Sequence, residues 1–148
     1  MRFQLPQNTI FYQLEKAIKQ YRKMAQDRIN ATGHRVSLNQ LILLLQLLER
    51  PQSTQVELAE SVFKDFASVA RMVDLLVKKG YLHRSENPHD RRKKDLVPTP
   101  ACKKMVAELV PVIQEYRAAA LHDFGATDLE QLSSLLQQLT ANCQPAVP

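Results

Sequence analysis

Asp65–Leu82 reads DFASVARMVDLLVKKGYL. Val69, Met72, Val73 and Leu76 recur at helical spacing and mark one apolar side. Asp65 suits the N-cap, Lys78 and Lys79 place cations in the last turn, and Gly80 suits the C-terminal stop. The segment therefore predicts an amphipathic helix. Ala67, Ser68, Ala70, Arg71 and Asp74 lie mostly off its buried stripe.

The neighbouring segments supply its context. Thr54 and Glu57 form a capping-box pair ahead of Leu58, Ala59 and Val62, predicting a short helix from about Gln55 to Val62. A short helix, a tight turn and a longer helix make a helix-turn-helix. Upstream, Ser37 and Gln40 form another capping box, with Val36 and Leu41 placed as its hydrophobic staple. Leu38–Leu48 is apolar on nearly every side, which predicts a buried helix. Earlier still, Phe11, Leu14, Ile18, Tyr21 and Ala25 follow one stripe of a helix from about Thr9 to Ala31, and Gly33 can supply its stop.

Downstream, Tyr81–Arg84 and Leu96-Val97 read as short strands around the turn signal Asn87-Pro88-His89-Asp90. Arg91, Arg92, Lys93 and Lys94 give this hairpin a basic tip. Thr99-Pro100 starts another helix, an N-cap followed by proline at the first position, expected to run to about Phe124 with Pro111 inside it. Thr127 and Glu130 read as the capping box of a last helix carrying Leu129, Leu132, Leu136 and Leu139. Gln144–Pro148 reads as a tail without fixed structure. The fold class is mainly α: a winged helix-turn-helix with N- and C-terminal helices and a small β-hairpin wing, with expected divisions at 1–36, 37–98 and 99–148.

The charge is segregated. The 148 residues carry a formal net charge of +5. Residues 71–104 hold 10 Lys/Arg against 4 Asp/Glu, whereas residues 105–148 hold 1 against 5. Four consecutive cations repel one another in the free protein. A polyanion relieves that repulsion and releases its counterions. Such a tip can also insert an Arg into a narrow, electronegative minor groove. The exposed N-terminal side of the Asp65–Leu82 helix would then meet base edges in the major groove through Ala67, Ser68 and Arg71. Arg71 can pair with guanine, hold a phosphate, or form a surface ion pair with Asp74 or Asp65. Asp90 can orient Arg92 through a local ion pair.

Leu58-Ala59-Glu60, Ser68–Leu82 and Asp90-Arg91-Arg92 together resemble the MarR family of bacterial transcription regulators. The resemblance implies a homodimer whose two winged helices read a pseudo-palindromic operator, with double-stranded DNA as partner. It places Ala67, Ser68 and Arg71 in the major groove and Arg91 or Arg92 in the minor groove, with Asp90 bracing the wing. It makes 1–36 and 99–148 the dimerisation helices and 37–98 the DNA-binding domain, and assigns Phe11, Leu14, Ile18, Leu129, Leu132, Leu136 and Leu139 to dimerisation. It also implies a signal: a small aromatic effector near Tyr12, Tyr21, Met24, His34 and Tyr116, or oxidation of a cysteine. Three features depart from the family pattern. Phe63 stands where Gly is frequent, Pro98-Thr99-Pro100 replaces the usual helix start, and Cys102 lies near another frequent Gly.

Of the 2 cysteines, Cys102 is the redox candidate. A helix N-terminus and the neighbouring Lys103 and Lys104 are expected to lower its pKa. The 4 histidines show no metal-ligand spacing, so neither a metal nor a cofactor is expected. No Gly-rich phosphate loop or nucleophile motif points to an enzyme. No secretory leader pattern or membrane-length apolar run stands in the chain, which reads as cytoplasmic. The alternative is a winged-helix protein-interaction module without specific DNA binding. A basic tip of four cations speaks for DNA.

Overall fold

The computed structural model describes residues 6–145. The end of the predicted tail, 146–148, lies outside them. A 3-10 turn at Pro6–Asn8 precedes α1 (Ile10–Ala31), α2 (Leu38–Glu49), α3 (Gln55–Val62) and α4 (Phe66–Lys78). Strands β1 (Leu82–Glu86) and β2 (Lys94–Pro98) follow, then α5 (Pro100–Ala120) and α6 (Ala126–Asn142). The strands pair antiparallel in a two-stranded sheet, from Leu82 opposite Pro98 to Glu86 opposite Lys94. The chain divides into two compact units, one ending at Tyr116 and the other beginning at Arg117.

Local chemistry sets the helix starts. Thr9, Ser37, Thr54 and Asp65 each accept a backbone N–H with the side chain. Two of the three predicted boxes close: Ser37 and Thr54 N–H donate to Gln40 Oε1 at 3.0 Å and Glu57 Oε2 at 2.7 Å. Gly33 and Gly80 follow α1 and α4 with φ of +81° and +77°, left-handed values that glycine reaches without a Cβ clash. The turn after α3 takes the same conformation at Phe63, with φ 53° and ψ 44°. The departure from glycine there leaves a bulky side chain in a strained region.

The core of the first unit joins α2, whose Leu41, Leu43, Leu44 and Leu47 are fully buried, to Leu58, Val69, Val73, Leu76, Leu82 and Leu109. Ala25 and Ile29 bring in the C-terminal half of α1. The start of α5 is tied down by Thr99, whose hydroxyl donates to Gly80 O at 2.6 Å and accepts from Cys102 N–H at 3.2 Å.

Along the α1 stripe Phe11 and Ile18 are exposed, and burial begins at Ala25. Two expectations require correction. Helix α5 ends at Ala120 rather than near Phe124, and Asp123 adopts φ 65° in the turn that follows. Helix α6 starts at Ala126, before the predicted Thr127 cap, and Gly125 N–H donates to Asp128 Oδ2 at 2.8 Å. Asp128, at the third position, reaches back more directly than Glu130.

Candidate nucleic-acid interface

The N-terminal end of α4 is organised by its cap. Asp65 Oδ1 accepts from Ser68 N–H at 2.7 Å, and Ser68 Oγ donates to Asp65 Oδ2 at 3.0 Å. Arg71 Nη2 donates in turn to Ser68 Oγ at 3.2 Å. The guanidinium is thus drawn toward the helix start, the end that can enter a groove. Ala67 and Arg71 are exposed and Ser68 is half-buried. Asp74 is engaged elsewhere, by Arg84 of β1, so the alternative Arg71–Asp74 pair is not formed.

These bonds set the charge of the cap. The Ser68 backbone N–H and then its hydroxyl hold the Asp65 carboxyl below its ordinary range, with the nearby Arg71 adding to the effect. Glu57 is lowered likewise, first by its backbone bond from Thr54. Both caps of the helix-turn-helix are therefore anionic at neutral pH.

The wing is shaped by side chains that bind backbone. Asn87 Oδ1 accepts from His89 N–H at 2.8 Å and Asp90 N–H at 3.0 Å, while its Nδ2 donates to Asp95 Oδ1 at 3.0 Å. Asp90 Oδ1 accepts from Arg92 backbone N–H at 3.0 Å. Asp90 therefore fixes the turn rather than pairing with the Arg92 guanidinium as expected. Arg91, Arg92 and Lys93 are exposed and make no side-chain ion pair among the described residues. Lys94 lies in β2 and sits 3.6 Å from Glu86, so the tip itself carries three of the four cations. The Arg84–Asp74 pair links β1 to α4, tying the wing to the helix that precedes it.

Away from this face, Tyr21 and Tyr116 meet edge-to-face at 5.8 Å, and His34 Nε2 lies 2.8 Å from Glu108 of α5. Met24 is half-buried, Tyr116 buried and Tyr12 exposed, so the predicted lining residues differ widely in accessibility. His34 also lines a shallow groove with Gly33, Arg35, Lys79 and Tyr81. Cys102 reverses the expectation for its thiol. It is fully buried, and burial pushes its pKa up against the opposing pull of Lys103. Cys143 is the exposed thiol. Among the described residues no cluster of His, Cys, Asp or Glu is arranged for a metal, and no helix is long and apolar enough to cross a membrane. Sequence reading passed over Phe66, the first residue of α4, which remains 57% exposed. Phe66 precedes Val69, Val73 and Leu76 at the 3, 4, 3 spacing of the buried stripe, so periodicity alone does not mark it as exposed.

A helix-turn-helix with a cap-organised recognition end and a cationic wing on the same compact unit defines a DNA-binding transcription regulator. Residues 36–94 match the MarR family model, so the winged-helix segment of this chain is similar to that family. Solved structures agree in fold. BpsR from Bordetella bronchiseptica superposes with a TM-score of 0.82 at 19% identity, over 95% of this chain and 98% of that one. A variant of MarR from E. coli in complex with operator DNA gives 0.81 at 19% identity, over 93% and 99%. A probable transcriptional regulator from Pseudomonas aeruginosa gives 0.78 at 25% identity, over 89% and 97%.

Proposed function

We propose that the protein is a cytoplasmic, homodimeric, sequence-specific repressor that occupies a pseudo-palindromic operator and is released by a small-molecule signal. The observation that carries the reading is the pairing of an Arg71 drawn toward the start of α4 with a wing tip whose Arg91, Arg92 and Lys93 have no acidic partner among the described residues. Ala67, Ser68 and Arg71 address base edges in the major groove. Arg91 and Arg92 enter the minor groove, and Lys93 and Lys94 hold phosphates. Asp90 contributes by fixing the wing turn.

The division of labour follows the chain: 37–98 binds DNA, and 1–36 and 99–148 hold the dimer. Exposed Phe11 and Ile18 of α1 and Leu132 and Leu136 of α6 support that role, because such surfaces gain by mutual burial. Leu14, Leu129 and Leu139 are only partly covered and belong to the same faces. For the signal, an aromatic effector suits the Tyr21–Tyr116 ring pair together with Tyr12, Met24 and His34. DNA binding of BpsR is regulated by 6-hydroxynicotinic acid, itself an aromatic acid. The protein works by binding rather than by catalysis.

The test replaces both wing-tip arginines, Arg91→Ala with Arg92→Ala, and measures affinity for a duplex selected by the wild-type protein from a random-sequence pool. The expected loss is about 1–3 kcal/mol for each side chain that reads the groove, with the fold unchanged by circular dichroism. Wild-type affinity in the double variant would remove the wing from the mechanism.

A further inference from the structure

Helix α4 begins at Phe66, so Phe66, Ala67, Ala70 and Arg71 occupy helical positions 1, 2, 5 and 6. At 3.6 residues per turn these four share a strip roughly 140° wide. The buried stripe of Val69, Val73 and Leu76 adjoins it at Phe66, which stands about 20° around the helix from Val73. Over its first two turns the strip carries an aromatic ring, two methyl groups and a single guanidinium; further along, Asp74 is paired with Arg84 and Lys78 stands in the last turn. Phe66 keeps 57% of its surface in water although fully buried apolar residues lie on the same helix. No polar function is available to the ring, and the helix start does not require it, since Asp65 alone caps the backbone.

The occupant follows from continuity with the interface already described. Phe66 lies between the Asp65 cap and Ser68, at the end toward which Arg71 is drawn. Of the groups that base pairs display in the major groove, the thymine C5-methyl is the apolar one. The exposed Phe63 belongs to the strained turn before the helix and lies outside this strip. We propose that Phe66, with the methyl groups of Ala67 and Ala70, reads thymine C5-methyl groups beside the base or phosphate taken by Arg71. Phe66 is then a specificity-determining residue, and each half-site contains thymine at the step it covers. The inference rests on the DNA-binding reading above.

The test substitutes the DNA before the protein. A duplex selected by the wild-type protein from a random pool is remade with each thymine replaced in turn by deoxyuridine, which lacks only the methyl group. Removing one buried methyl is worth about fourfold in affinity, so symmetric replacement in both half-sites is expected to cost roughly 15-fold at the contacted step. Phe66→Ala is expected to bind the thymine duplex as weakly as the uracil one and to lose the difference between them. Its salt dependence is expected to match the wild type, because no charge has changed. Equal wild-type affinity for every uracil-substituted duplex, or an undiminished thymine preference in Phe66→Ala, would overturn the proposal. In either case selective, salt-sensitive binding by the wild type would leave the parent reading intact. A pool that yields no consensus would overturn both.

Discussion

Single residues carry much of the local logic, and Phe63 shows it under strain. Its left-handed backbone holds a side chain that is 91% exposed, so the conformation recovers little from packing. Phe63→Gly is expected to raise stability by about 0.5–1 kcal/mol, the relief of the Cβ clash exceeding the added freedom of the unfolded chain. Urea unfolding measures this, and a destabilised variant would mean that the ring packs more than its exposure indicates. The sequence marked this position as a departure from glycine, but the torsion itself came only with the fold. Cys102 marks the opposite limit. Its first-turn position and its lysine neighbours are visible in sequence, yet the burial that raises its pKa comes from the assembled core. Asp90 was placed correctly in the wing turn, but its partner is the Arg92 backbone rather than the guanidinium.

At the scale of elements, capping chemistry was the most readable signal because it is local. Ser37 with Gln40 and Thr54 with Glu57 set the starts of α2 and α3, and Asp65 set that of α4. The start of α6 was misplaced because several acidic and hydroxyl residues compete near Gly125, and geometry selects Asp128. The strands run longer than their apolar residues suggested, since pairing extends to Glu86 and Lys94 at the polar end. The caps also predict a pH dependence. The folded pKa of Asp65 lies below its ordinary value of 3.8, so its contribution is present above that value and is lost as pH falls through the folded pKa. Asp65→Asn keeps a competent cap but removes this titration. Thermal unfolding of the two proteins from about pH 7 down to 2.5 is expected to show any advantage of the wild type shrinking below about pH 4. A difference that stays constant across the range would show that the carboxylate charge contributes nothing to the cap.

For the whole molecule, the winged helix-turn-helix was legible because apolar periodicity, turn residues and charge all agree over residues 37–98. The dimer is less directly written, since an apolar stripe does not say which surface covers it. No residue of α6 is buried, and Leu132, Leu135 and Leu136 are exposed. A chain ending at Gly125 is accordingly expected to sediment as a monomer at concentrations where the full chain is dimeric. A truncated dimer would place the principal contact on other elements. The effector face is less defined still. Tyr21, Tyr116 and His34 can be named from sequence, but their accessibility depends on packing that the chain does not spell out locally.

On the proposed reading, α4 and the wing read DNA as parts of a symmetric dimer. The measurement that bears on this first is fluorescence anisotropy against a selected two-fold symmetric duplex and a scrambled duplex of the same composition, across a salt series. Tight binding to the symmetric site is expected, with a clear preference over the scrambled one and affinity that falls steeply as salt rises. Equal weak binding to both duplexes would contradict the claim of specific readout, and no binding even at low salt would instead favour a protein-interaction module.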